Sequence, residues 1–267
     1  MSMTIQQVID KILAYHPELS TPQTCDGVKC GDPSQEVTAI AVSCAPTYDV
    51  IRRAAEAGCN FLLCHEPSFY SHEDTTDWLE GDPVYEEKRR FLEKHQMVIF
   101  RDHDHLHAHT PDGIYTGVMK ELGWEPYRAD TGRRPMLYHL PPMDVSELAA
   151  FLKEKLCMEK VRVIGKTSGT VSKVAYIGGG NMSFDNTNTR LMMDGTEVMI
   201  AGELIDWTVM SYVRDAAVMG QQKTIIQLGH FNSEELGMKY AESWLRPLVD
   251  PEIPIHWIRA GEPYHYL

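Results

Sequence analysis

Residues 99–109, IFRDHDHLHAH, put His103, His105, His107 and His109 directly behind the short apolar run Met97–Phe100. A third of the chain's 12 histidines therefore sit in seven residues. Imidazole is the commonest protein metal ligand, and His-rich tracts are associated with metal sites. A polar loop that merely happens to be His-rich is the alternative. Two other stretches share the layout of an apolar run followed by a histidine with a carboxylate nearby. Phe61–Leu63 leads into Cys64-His65-Glu66-Pro67, and Thr224–Leu228 leads into Gly229-His230 with Glu234 four residues on.

Working outward, the apolar runs read as strands and the segments between them as helices. Val37–Ser43, Phe61–Cys64 and Met97–Phe100 are predicted strands. Tyr48–Ala57, with apolar spacing at Val50, Ile51 and Ala54, and Pro83–His95, with Pro at its first position, are predicted helices. Strand, helix, strand implies parallel pairing through a right-handed crossover. Upstream, Ile5, Val8, Ile9, Ile12 and Leu13 mark an amphipathic helix over 4–15, and Thr21–Pro33 reads as a loop. Ser68–Gly81 reads as irregular, and Ile114–Leu122 as a helix stopping at Gly123. Further on, Met136–Leu140, Val161–Ile164, Val171–Ile177, Val198–Ala201, Thr224–Leu228 and Ile253–Ile258 are strand candidates. Asp144 with Glu147 has capping-box spacing before a helix at 145–157. Trp207–Met219 reads as a helix with Val209, Met210, Val213 and Ala217 inward, and Ser233 as the cap of a helix to about Leu245. Gly178-Gly179-Gly180 lacks the order of a phosphate-binding loop and reads as a tight turn. The fold class is α/β with mostly parallel sheets, in two lobes, 1–128 and 129–267. Each lobe delivers histidine at a strand end, where α/β sheets place their sites.

The 267 residues carry a net charge of −13. An acidic surface repels phosphate backbones, which disfavours general nucleic-acid binding and basic-patch membrane association. The N-terminal residues are too polar for a signal peptide, and no apolar run reaches the ~18 residues of a membrane span. Six cysteines without a Cys-x-x-Cys read as reduced thiols of a cytoplasmic protein. Cys25 and Cys30 have the spacing of half a zinc site, but without a second half they read as free.

His65 and Glu66 are adjacent, so on a strand they would face opposite ways. For both to serve one site the strand must end there, an arrangement that suits two ions side by side. His103, His105 and His107 share a face if extended; if helical, only His103 and His107 do. Imidazoles with carboxylates and no obvious thiolate favour Zn, Fe, Mn or Co.

These three motifs resemble those of the Nif-three-like proteins, a family of hexamers with a dinuclear metal centre, often described as homologues of a type-two GTP cyclohydrolase. The family carries His-His-Pro after an early strand, His-Thr-Asn-Leu-Asp after a later one, and Gly-His-x-x-x-Glu near its C-terminus. Val37–Pro46 and Ile200-Ala201-Gly202-Glu203 are also similar to it, so the likeness spans nearly the whole chain. The resemblance implies metal ligands His65, Glu66, His107, His230 and Glu234 holding two divalent transition-metal ions. Two positions depart from the pattern: Glu66 replaces a His and His107 an Asp. The swaps compensate, leaving three imidazoles and two carboxylates. His103 matches a family His near the metals and is the candidate acid or base. The resemblance further implies two similar lobes with the metals between them at the C-terminal ends of the strands, a homo-hexamer, and no inserted middle domain. The expected function is a metal-dependent hydrolase of a nucleotide or other small heterocycle. The alternative is a non-catalytic metal-binding, metal-delivery or regulatory assembly protein.

Overall fold

The computed structural model describes residues 3–130, 132, 137–180 and 184–267. The chain divides into two compact units, Met1–Gly117 with Gly237–Ala260, and Val118–Leu236 with Gly261–Leu267.

The first unit is built on a five-stranded sheet of β1 (Gly27–Cys30), β4 (Val98–Arg101), β3 (Phe61–Cys64), β2 (Ile40–Ser43) and β10 (Ile255–Trp257), in that order. β4, β3, β2 and β10 are parallel, and β1 closes the edge antiparallel to β4. Every residue of β2, β3 and β4 is buried. That is why these strands read as unbroken apolar runs rather than alternating ones: helices cover both faces of a parallel sheet. α2 (Tyr48–Glu56) packs Val50, Ile51 and Ala54 into the core with Leu62, Leu92 and Ile99. α3 (Pro83–Lys94) starts at Asp82, whose carboxylate accepts from Val84 N and Tyr85 N. α1 (Ile5–Tyr15) carries a capping box from Thr4 and Gln7 and buries Ile5, Val8, Ile9 and Ile12, whereas Leu13 is exposed. The loop expected over Thr21–Pro33 contains β1. It is a short edge strand framed by Gly27 and Gly31, both at positive φ, and this punctuation hides it in the sequence. α5 (Gly113–Leu122) and α9 (His230–Leu245) approach backbone to backbone. A Cβ on Gly117 would lie 2.8 Å from Gly237 Cα, and one on Gly237 would lie 2.7 Å from Ile114 O.

The second unit carries the sheet β5 (Leu137–Asp144), β7 (Thr170–Gly180), β8 (Val198–Glu203), β9 (Thr224–Gln227) and β6 (Arg162–Gly165). Its centre, β7-β8-β9, is parallel and both edges are antiparallel. Asp144 and Glu147 form the expected capping box of α6 (Val145–Leu156). Met136, the first residue of an expected strand, lies outside the described residues. α7 (Thr187–Met193) was not foreseen. α8 (Val209–Val218) buries Val209, Met210, Val213 and Ala216; Trp207 precedes it and is exposed. Two expectations need correction. Gly178-Gly179-Gly180 is not a tight turn but the end of β7, with a register shift between Ile177 and Gly180. Ser233 is not a cap: α9 begins at His230 and Ser233 lies in its first turn. Among the described residues no helix is long and apolar enough to cross a membrane.

Candidate metal centre

In the first unit the parallel pairing sets Cys64 beside Arg101 at the strand ends. His65 and the turn into α4 (Asp104–Ala108) therefore emerge next to each other. His65 N and Glu66 N both donate to Cys44 O, at 3.1 and 2.8 Å, and the buried Arg101 donates Nε to His65 O at 3.1 Å. The helical alternative for residues 103–107 is the one realised. His103 flanks α4 and His107 lies one turn on, so both rings reach His65. Ring centroids are 4.4 Å apart for His65–His103, 4.9 Å for His65–His107 and 4.7 Å for His103–His107. One ring nitrogen from each of the three lies within 4.8 Å of the others.

Each ring is held through its Nδ1. His65 Nδ1 meets the Asp102 carbonyl at 3.2 Å, His103 Nδ1 meets Asp104 Oδ1 at 2.9 Å, and His107 Nδ1 meets Asp112 Oδ2 at 2.7 Å. A bond of this kind fixes the tautomer and aims Nε2 as a lone-pair donor, the usual arrangement behind a metal-bound imidazole. Asp112 also accepts from Ile114 N and Tyr115 N through Oδ1, so it caps α5 and orients His107 at once. Burial, and then repulsion from His103 and His107, holds His65 well below its ordinary value. Burial and His107 lower His103 as well, against the raising effects of Asp104 and the Glu66 charge. Both rings are thus neutral and able to ligate at neutral pH. Glu66 is buried. Cys25 also comes within 4.8 Å of His103 and Asp104, but burial pushes its thiol up to about 12, which leaves little thiolate at neutral pH.

The shifts make a stability prediction. Both histidines have folded values below their unfolded value of 6.5. Below pH 6.5 the unfolded chain binds more protons, so their contribution is fully present above that pH and is lost as pH falls. For metal-stripped protein, urea melts at pH 7.5 and 5 should show unfolding free energy falling by up to ~1.4 kcal/mol per pH unit per histidine. Substituting His65 by Gln should flatten the slope.

In the second unit β9 ends at Gln227 and α9 starts at His230, one turn before Glu234. His230 Nδ1 lies 3.1 Å from Glu203 Oε2, and its Nε2 lies 3.3 Å from Glu234 Oε2. Glu203 ends β8, level with Gly180. Glu234 is buried, while Glu203 and His230 are partly exposed. The glycines make this possible. A Cβ on Gly179 would lie 2.4 Å from Glu234 Oε1, and one on Gly202 2.3 Å from Gly179 O. Ser233 Oγ accepts from Gly179 N at 2.9 Å and donates to His230 O at 2.7 Å.

The structure thus brings His65, His103 and His107 together in one unit, with Glu66 close by, and His230 with Glu234 in the other. Sequence reasoning missed the residues that orient the imidazoles. Asp112 carries a signal that could have found it, Pro111-Asp112-Gly113 ahead of a helix. Glu203 was noticed only as part of a family-like stretch.

Comparisons with known proteins agree with the motifs. The "GTP cyclohydrolase 1 type 2 homolog" of Clostridium perfringens is 25% identical over 218 residues, covering 78% of each chain. The crystal structure of a Bacillus cereus protein related to NIF3 superposes with a TM-score of 0.76 at 14% identity, covering 99% of each chain. Staphylococcus aureus protein SA1388 superposes with a TM-score of 0.70 at 18% identity, again over 99% of each. At these identities the solved structures establish the fold. The profile of the family described as Duf34/NIF3 (NGG1p interacting factor 3) matches residues 3–260, and the chain belongs to that family.

Proposed function

We propose that the protein is a metal-dependent hydrolase with a dinuclear centre, acting on a nucleotide or another small heterocycle. The observation that carries the proposal is the trio His65, His103 and His107, three clustered imidazoles, two of them buried, each held from behind by an acceptor. His65, Glu66 and His107 from the first unit, with His230 and Glu234 from the second, are the proposed ligands. Three nitrogens and two carboxylates suit two ions of Zn, Fe, Mn or Co. Such a pair supplies Lewis acidity and a water acidified toward neutral pH.

The chain's own residues do the rest. Asp112 and Glu203 hold the His107 and His230 rings in the ligating tautomer. His103, lowered by burial but partly reachable by solvent, carries a proton to or from the reacting group. The curated relatives' name suggests a purine nucleotide as one substrate to try, and the family resemblance suggests a homo-hexamer. The free cysteines among the described residues suit a reducing, cytoplasmic setting.

Elemental analysis of untagged protein is expected to find at least about two equivalents of transition metal per chain. His65→Ala and Glu234→Ala should each lower that content and abolish turnover in a panel of nucleotides, esters and cyclic amides. Full metal content in both variants overturns the ligand assignment. A fully loaded wild type inert across the panel overturns the hydrolase.

A further inference from the structure

The proposed centre leaves His105 and His109 of the histidine run unused. α4 turns His105 away from His103 and His107. Its Nδ1 lies 2.7 Å from Asp26 Oδ2, and its ligand atom lies within 4.8 Å of ligand atoms from Asp26 and Asp102. Asp26 Oδ1 accepts from His103 N and Asp104 N, and Oδ2 from His105 N. Cys25 Sγ lies 3.8 Å from Asp26 Oδ1. Asp102 Oδ2 meets His16 Nε2 at 2.9 Å, and His16 Nδ1 meets His109 Nε2 at 2.7 Å. Asp102 is fully buried, and its Oδ1 has no hydrogen-bond partner among the described residues.

A buried carboxylate oxygen without a partner is expensive, and a second carboxylate within 4.8 Å adds repulsion. Proteins resolve such an arrangement by pairing the charge or by coordinating a cation. The geometry points to a separate divalent-cation site in the first unit, with Asp102, Asp26 and His105 as its protein ligands. Two carboxylates and one imidazole cancel the charge of a divalent ion and suit Zn, Mn or Co rather than a soft thiophilic metal. The ion would take the place of the His105–Asp26 hydrogen bond, the ring proton moving to Nε2 with no net proton change. An entry path exists: His16 and His105 line an open cleft of about 560 Å³ together with Leu13, Pro17 and Thr24. His16, held between Asp102 and His109, fixes the Asp102 carboxylate from behind.

The test uses the whole chain, stripped with chelator and reloaded with Co²⁺ and, separately, Zn²⁺. Bound metal is counted by elemental analysis, and the Co²⁺ visible spectrum is titrated. Asp102→Asn and His105→Asn are each expected to bind one equivalent fewer than wild type, or to hold that equivalent about tenfold more weakly or worse. His65→Ala should keep this equivalent while losing metal from its own centre. That arm separates failure of the present site from failure of the dinuclear one. His105→Asn retains an N–H donor toward Asp26, so circular dichroism of this variant shows whether the fold is kept, and it decides alone if Asp102→Asn fails to fold. Wild-type stoichiometry and affinity in folded His105→Asn overturns the site. So does loss of every equivalent in folded His65→Ala, which would leave a single centre.

Discussion

Asp112→Asn is expected to weaken metal binding at the proposed centre, in which His107 is a ligand, about 10–100-fold, roughly 1.4–2.7 kcal/mol, with little change in fold stability. Asp112 has two tasks on two oxygens. Oδ1 caps α5 through Ile114 N and Tyr115 N, and Oδ2 holds His107 Nδ1 at 2.7 Å. Asparagine caps a helix about as well as aspartate, so the first task survives. The charge behind the imidazole does not, and the ring loses basicity and a reason to keep its ligating tautomer. Competition with a chromophoric chelator gives the affinity, and a urea melt of the stripped variant gives the stability. Equal losses in both would mean that Asp112 acts only as a cap. Unchanged affinity would mean that His107 does not ligate.

Gly179→Val should strike the other donor pair harder still. Gly179 sits at φ 70°, a conformation that costs an L-residue about 1–2 kcal/mol and is worse for a β-branched side chain. Its Cβ would also land 2.4 Å from Glu234 Oε1 and 2.9 Å from Glu234 Cδ. The carboxylate is buried beside His230, so it must swing away or β7 must withdraw. We expect a loss of about 3 kcal/mol or more, by addition of backbone strain and overpacking, together with a fall in bound metal if Glu234 ligates as proposed. Gly178→Ala is the control. Its φ is not positive, and the added methyl meets nothing closer than a Tyr176 ring carbon at 3.3 Å. If thermal midpoints of the two variants match, the close approach at Gly179 is not a constraint.

The parallel strands were legible because each is buried on both faces and so is apolar up to its last residue: Phe61–Leu63 and Val98–Phe100 announce themselves, before the polar Arg101 closes β4. Histidine at their ends was legible for the same reason, since the apolar run stops where the site begins. Three kinds of feature were not. β1 is an edge strand whose hydrogen bonds go to β4, some 70 positions away, and local pattern says nothing of that. The glycine run looked like a turn because glycine is common there. Its middle member, Gly179, is glycine because the Glu234 carboxylate leaves no space for a side chain, a fact that belongs to α9. Asp26, like Glu203, orients a histidine from a distant segment, so no spacing rule connects the pair, whereas Asp112 is only five residues from His107.

α4 holds just five residues, far below the dozen or so at which an isolated helix becomes even marginal. What keeps it wound is Asp26, which takes up the amide protons of the flanking His103 and of the first two helical residues, Asp104 and His105. The backbone that carries His103 and His107 is therefore held from outside its own segment, by a carboxylate in the loop before the edge strand. Loss of that carboxylate would loosen the rings on α4 and leave the apolar core around the sheet, of which Asp26 is no part, in place.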